Sequence, residues 1–244
     1  MAYTTINKHT DYFNTKLFTG NGGTNAITGV GFQPDWTWLK NRSTTDSHSF
    51  YDAVRGVTKR LKSDTSDAET TQSNGLTAFG TDGFTVGDHG GVNGSGNNIV
   101  SWNWKAGGGQ GSSNTDGSIN TTYTSVNTTA GFSICKWTGT GSAGTIGHGL
   151  GAVPKMIIAK RTSATRNFPI YHPALGNDKK MYLNDTQAES SSTNWNSTTP
   201  TSSVFSIGSA DDINGSGSTY IAYVFAEKTG YSKFGSYTGN GNAN

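Results

Sequence analysis

The sequence predicts an all-β protein: two tandem, duplicated β-sandwich domains of jelly-roll-like type, with few short helices. Three observations carry that expectation. The chain is rich in Gly, Ser, Thr and Asn, with 34 Gly but only 5 Pro among its 244 residues, a composition that suits short strands joined by tight turns. No stretch holds a 3.6-residue apolar period over several turns. A series of motifs recurs in one order about 120 residues apart. That unit is too long for solenoid or propeller repeats of roughly 20–50 residues and suits one sandwich per copy.

Composition bounds the function as well. Apolar residues make 32% and charged residues 14% of the chain, both below globular averages, yet 11% aromatics supply cores that a disordered chain lacks. A net charge of +2 builds no field for nucleic acid, and Lys59-Arg60-Leu61-Lys62 reads as a solvated strand or turn edge. The lone Cys135 excludes an internal disulfide and a Cys-based zinc site. The opening Met1-Ala-Tyr-Thr-Thr is not a signal sequence, and no apolar run approaches the roughly 18 residues of a membrane span. The expected setting is a reducing cytoplasm, without export through a cleaved signal and without membrane insertion.

In chain order, residues 1–16 read as an N-terminal strand or docking arm. The first repeat, 17–105, opens on Leu17-Phe-Thr-Gly-Asn-Gly22, matched by Lys136-Trp-Thr-Gly-Thr-Gly141: a strand end and a glycine-permitted turn. Gly31-Phe-Gln-Pro-Asp-Trp-Thr-Trp-Leu-Lys-Asn-Arg42 returns as Gly151-Ala-Val-Pro-Lys-Met-Ile-Ile-Ala-Lys-Arg161, a turn feeding a buried strand with a charged end. Phe50-Tyr-Asp52 pairs with Ile170-Tyr-His172, Phe84-Thr-Val-Gly87 with Phe205-Ser-Ile-Gly208, and Asn93-Gly-Ser-Gly96 with Asn214-Gly-Ser-Gly217. Each copy closes on a strand, Ile99–Trp104 and Tyr220–Phe225. Short helices are expected at 52–61 and 65–71. Residues 106–118 read as a flexible Gly/Ser-rich linker, and 119–233 as the second repeat with lead-in strands at 119–126 and 132–137. Residues 234–244 repeat the aromatic-Thr-Gly-x-Gly opening, as a closing strand or the start of a third repeat.

The chemistry-bearing patterns are weak. Gly139-Thr-Gly-Ser-Ala-Gly144 fits the dinucleotide fingerprint in letters only, because no helix can follow to hold a pyrophosphate; a hairpin turn is expected. His9, His48, His89, His148 and His172 show no metal-ligand spacing. Asp64, Asp67 and Glu69 recur as Asp185 and Glu189, and Asp211-Asp212 precedes a turn; Ca²⁺ would use such oxygens, but Asx-rich turns produce the same strings. No metal, cofactor or catalytic residue is expected. Trp36, Trp38, Trp102 and Trp104 correspond to Met156, Ile158, Tyr223 and Phe225 in the other copy. Replacement by other apolar residues reads as core packing. Trp195, set in Ser-Ser-Thr-Asn-Trp-Asn-Ser-Thr-Thr, is the candidate surface contact.

Gly31-Phe-Gln-Pro-Asp-Trp-x-Trp-Leu-Lys-Asn-Arg42, Tyr51-Asp-x-Val-Arg-Gly56, Gly75-Leu-Thr-x-Phe79 with Asp82-Gly-Phe84, and Ser101-Trp-Asn-Trp-Lys105 resemble a family of repeat-built virion proteins of tailed phages of marine bacteria. Gly147-His-Gly-Leu-Gly-x-x-Pro-Lys-Met156, Phe225-Ala-Glu227 and Phe234–Gly241 look like that family's next unit. The resemblance runs from Tyr3 onward and carries no catalytic residues. Because members often continue into a further unit, an end at Asn244 marks a short member or a truncation. The resemblance implies a virion-surface protein assembled in the host cytoplasm: a tail fibre or tail-associated protein, with a capsid decoration protein as the alternative. Expected partners are other virion proteins, further copies of itself (a trimer favoured) and a host-surface glycan or receptor. A glycan-degrading enzyme on a β scaffold is the third expectation.

Overall fold

The computed structural model describes residues 4–241, which build an almost wholly β structure of antiparallel sheets. The first half holds a 3-10 turn at His9–Asp11, then β1 (Phe13–Thr19), β2 (Asn25–Ile27), β3 (Trp36–Asn41), β4 (Ser49–Asp52) and β5 (Lys59–Arg60). It continues with β6 (Thr70–Thr71), β7 (Leu76–Gly80), β8 (Gly83–Val86), α1 (Gly90–Asn93) and β9 (Asn98–Trp104). The second half holds β10 (Tyr123–Asn127), β11 (Phe132–Thr138), β12 (Gly144–Gly147), β13 (Pro154–Arg161), β14 (Pro169–Tyr171) and β15 (Lys179–Tyr182). It ends with β16 (Ser190–Ser191), β17 (Val204–Ile207), α2 (Asp211–Asn214) and β18 (Thr219–Ala226).

Each half has one large sheet and one small sheet packed on it, and the first half adds the two-stranded β5-β6. The large sheets run β1-β9-β3-β4 and β10-β11-β18-β13-β14-β15-β16, so the first strand of each motif series lies beside the last. The small sheets are β2-β8-β7 and β12-β17. Register agrees with the sequence pairing: Trp36 faces Trp104 and Trp38 faces Trp102, while Met156 faces Phe225 and Ile158 faces Tyr223.

Strand alternation sorts these residues into layers. In β18, Tyr220, Ala222, Val224 and Ala226 pack towards the small sheet of their own half, with Ile146, Phe205 and Ile207. The intervening Ile221, Tyr223 and Phe225 point the other way, onto Trp36, Phe50 and Val54 of the first half. Leu39, Tyr51 and Ile99 cover the first small sheet through Ile27, Leu76, Phe84 and Val86. The order is therefore small sheet, large sheet, large sheet, small sheet. A strand buried on both faces must be apolar throughout, which accounts for Thr-Tyr-Ile-Ala-Tyr-Val-Phe-Ala226.

The two sandwich-like halves are packed on one another through their large sheets. The halves meet through an aromatic core, in which Trp36 stacks on Tyr223 at 4.2 Å, and through a sealed polar joint. Asp52 Oδ2 accepts from Arg55 Nε at 2.6 Å and from the Tyr223 hydroxyl at 2.7 Å.

The linker reading is corrected. The buried carboxylate of Asp35 accepts from the backbone N–H groups of Ala106, Gly108 and Gly109 at 2.6, 2.9 and 2.7 Å. Burial pushes the Asp35 carboxyl above its ordinary range while those donors pull it back. Glycine suits this stretch because the backbone itself is the ligand of the carboxylate. The helices expected at 52–61 and 65–71 are turns carrying β5 and β6, and the short helices lie at α1 and α2. Gly56 N–H does close one turn on Asp52 O, but β5 then pairs with β6. At the ends, residues 4–12 form no strand, and β1 begins at Phe13. Phe234 packs on Phe225 at 5.9 Å, and residues 233–241 form no strand. Residues 1–3 and 242–244 of the terminal segments lie outside the described range.

Polar side chains hold the loops in matching ways. The amide of Asn93 donates to Gly87 O, and that of Asn214 to Gly208 O, at 2.8 and 2.9 Å. Beside them lie Gly20 and Gly139 of the aromatic-Thr-Gly-x-Gly turns, where a Cβ would meet Gly94 O at 2.2 Å and Gly215 O at 2.4 Å. Lys40 Nζ donates to Asp46 O and Lys160 Nζ to Arg166 O. Lys160 also donates to Ser66 O of the first half at 2.9 Å.

Burial lowers the Lys160 ammonium to about 8, against the pull of Asp67 and Asp212. Since the folded form releases this proton first, stability should rise with pH from about 8 to the unfolded lysine value near 10.4. Urea midpoints at about pH 7 and 9.5 should show a gain of about 1–2 kcal/mol that Lys160→Met lacks; parallel shifts in both proteins would refute it.

Candidate functional site: an aromatic cleft between the large sheets

The two large sheets do not close along their whole length. On the side where β1 and the β10–β11 turn meet, a cleft of about 380 Å³ remains, within the size range of small-molecule sites. Its walls are Trp36, Trp38 and Trp104 from the first half and Phe132, Met156, Ile158 and Phe225 from the second. Tyr12 and His9 enter from the N-terminal segment, and Tyr231, Ser232 and Phe234 from the chain after β18.

Alternation explains how the sequence builds it. Trp36 and Trp38 in β3, and Trp104 in β9, share the face that meets the second half. Trp36 is 1% exposed, stacked on Trp104 at 4.3 Å and edge-on to Phe50 at 5.0 Å. Trp38 stays half-buried, and its indole N–H donates to His48 Nδ1 at 2.7 Å. The Trp36 indole N–H has no acceptor among the described residues. At the rim Tyr12 meets Tyr231 edge-on at 6.3 Å, and burial together with Tyr12 pushes the Tyr231 phenol up to about 12.

Among the described residues no Asp, Glu, Lys or Arg lines the cleft. A wall of ring faces with a few neutral polar groups receives apolar or aromatic groups, or the apolar face of a sugar.

Trp195 is not a surface contact. It is 1% exposed and packs edge-to-face on Tyr171 at 5.7 Å. The polar residues around it make a tight turn, with Asn196 and Ser197 at φ 50° and 45°, and that turn drives the indole inward. Trp195→Ala should therefore cost about 3–5 kcal/mol in urea unfolding. An unchanged midpoint would restore the surface reading.

The remaining candidates are spent within the fold. Nδ1 of His89, His148 and His172 accepts the backbone N–H two residues on, from Gly91, Leu150 and Ala174 at 3.2, 3.1 and 3.2 Å. Burial holds His48, His89 and His148 below the ordinary histidine range, which suits a neutral ring that accepts at Nδ1. Asp67 pairs with Lys62, Glu69 with Arg55, Glu189 with Lys179, and Asp211 with Arg161 and Arg166. Asp212 receives Lys180 Nζ and the Tyr182 hydroxyl, and Asp185 receives the Asn167 amide. Asp64 lies in a separate shallow hollow with Trp38 and His48. Among the described residues no group of three or more His, Cys, Asp and Glu is placed to hold a metal ion, and no helix is long and apolar enough to cross a membrane. Gly139–Ala143 is a loop leading from β11 into β12 and not the hairpin turn expected, because β12 pairs with β17 while β11 pairs with β10 and β18.

Fold and cleft together define an all-β protein whose two halves enclose an aromatic site. Residues 8–244 match the model of a domain family of unknown function, DUF7483, and the chain belongs to that family. No curated protein and no solved structure matches it.

Proposed function

We propose that the chain is a structural protein of a tailed-phage virion, in the tail or its fibres, working in assembly and in attachment to a host-surface glycan or receptor. The virion setting rests on the sequence motifs. The observation that carries the structural role is the use of the buried polar groups: Asp35, Arg55, Asn93, Lys160 and Asn214 all fix loops or join the halves. A protein that must hold shape while touching others gains from such locked loops. The aromatic cleft takes the place of Trp195 as the contact surface, because it is concave, neutral and lined by ring faces.

Immunogold labelling and electron cryomicroscopy of purified particles test this reading. Label on the tail is expected. Label on the head would favour the decoration protein, and particles without the protein would overturn both. Cleavage of host polysaccharide by the purified protein would instead establish the enzyme.

A further inference from the structure

The large sheets of the two halves differ at one edge. In the second half β11 has a strand on each side, β10 and β18. In the first half β1, the counterpart of β11, has β9 on one side and no strand on the other among the described residues. β1 is also the more exposed of the two strands. Thr15, Leu17 and Thr19 of β1 are exposed, Leu17 at 65%, whereas β11 exposes only Thr138.

The strand that covers β11 reads Tyr123-Thr-Ser-Val-Asn127. The chain carries nearly the same string ahead of β1, as Tyr3-Thr-Thr-Ile-Asn7. Yet Thr4–Lys8 form no strand. The reason lies in the connection. The β10–β11 hairpin turns at Gly131, which adopts φ 70° and donates its N–H to Asn127 O at 2.9 Å. A side chain there would be strained, and its Cβ would meet Ala226 O at 2.5 Å. The residue preceding β1 is Tyr12, at φ −131° and bonded to His9 O. Five residues, 8–12, separate Asn7 from Phe13, against four, 128–131, between Asn127 and Phe132. The N-terminal segment thus has the sequence of a covering strand without the glycine turn that folds such a strand back on its neighbour.

We infer that the open edge of β1 is completed by the Thr4–Asn7 segment of a second copy of this chain, added as an antiparallel strand where β10 lies beside β11. Supplied from another copy, the strand needs no tight turn at Tyr12. The added ladder satisfies the edge N–H and C=O groups, and Ile6, buried in its own chain, exchanges one burial for another at the place of Val126. A lysine does not bar the addition, since Lys136 of β11 pairs with Tyr123. Reciprocal exchange closes a dimer, and giving the segment onward round a ring closes a trimer. The inference concerns the purified protein in solution and does not depend on the virion setting.

In the β10–β11 register Ser125 faces Ile134, and the corresponding residues are Thr5 and Thr15. In a Cys135→Ser background, Thr5→Cys with Thr15→Cys should oxidise to disulfide-linked dimers or trimers on a non-reducing gel, since opposed strand residues bring Cβ atoms within disulfide reach. A cross-linked monomer would mean that the segment folds back on its own β1, and no cross-link would mean that it does not reach the edge; either result overturns the inference. Deleting residues 1–8 gives a second reading without cysteines. Sedimentation equilibrium should fall from the oligomer to the monomer mass, with the β circular-dichroism spectrum kept. A full-length chain that is monomeric at micromolar concentration, or a deleted chain that keeps the oligomer mass, contradicts it.

Discussion

Replacing Trp36 with alanine should destabilise the protein by about 3–5 kcal/mol and lower the stability of both halves together. The indole is the hub of the shared core. It stacks on Trp104 of its own sheet and on Tyr223 of the other, and lies near Phe50, Phe132 and Phe225. Truncation removes contacts with both sheets and leaves a cavity that rigid strands cannot collapse to fill. In urea unfolding the midpoint should fall while one transition persists. If a folded second half survived alone at intermediate urea, Trp36 would belong to the first half only. Met156, its counterpart in the repeat, lies at the cleft wall, so Met156→Ala should cost less.

Asp52→Ala should cost a similar amount by different physics. Both Asp52 carboxylate oxygens are occupied, Oδ1 by the Arg55 backbone N–H at 2.8 Å and Oδ2 by Arg55 Nε and the Tyr223 hydroxyl. Arg55 also reaches Glu69 at 3.2 Å, but the side chains of Arg55 and Asp52 are 1% and 0% exposed, against 22% for Glu69. Removing Asp52 leaves a buried guanidinium short of its nearest counter-charge, a loss of about 3–5 kcal/mol. Tyr223→Phe removes the hydroxyl that ties the joint to the second half while the Asp52–Arg55 pair remains, and should cost about 1 kcal/mol. Equal effects of the two substitutions in urea titrations would show that the ion pair itself contributes little.

Much of the fold was legible in the sequence because strand alternation leaves marks in both copies. The correspondence of Trp36 with Met156 and of Trp104 with Phe225 reflects equivalent registers in the two sheets, Trp36 opposite Trp104 and Met156 opposite Phe225, readable because packing accepts any large apolar residue. What covers each face was not legible. An apolar face has the same composition whether it meets its own small sheet or the other half, so the shared core looked like two cores. Asp35 shows the same limit. Its second-copy counterpart is Lys155, and nothing local to Asp35 signals that its carboxylate captures three N–H groups some 70 residues onward.

Trp195 misled because polarity was judged along the chain, while a turn with two left-handed residues rotates the indole away from its polar neighbours. The cleft was illegible for a related reason: Tyr12, Trp36, Phe132 and Phe234 converge only after the large sheets stack. Its ingredients were visible as aromatic residues, but not their assembly. The loop lysines were visible as the constant ends of two strands, and their hydrogen bonds explain why a lysine sits at both.

The account rests on the two halves being one cooperative body held by Trp36, Asp52, Arg55 and Tyr223. Differential scanning calorimetry of the whole chain tests this most directly, since a single unit gives equal calorimetric and van't Hoff enthalpies. One transition with a ratio near 1 is the expected result, moved to lower temperature as a whole by Asp52→Ala. Two resolved transitions, with only one displaced by that substitution, would contradict the shared core.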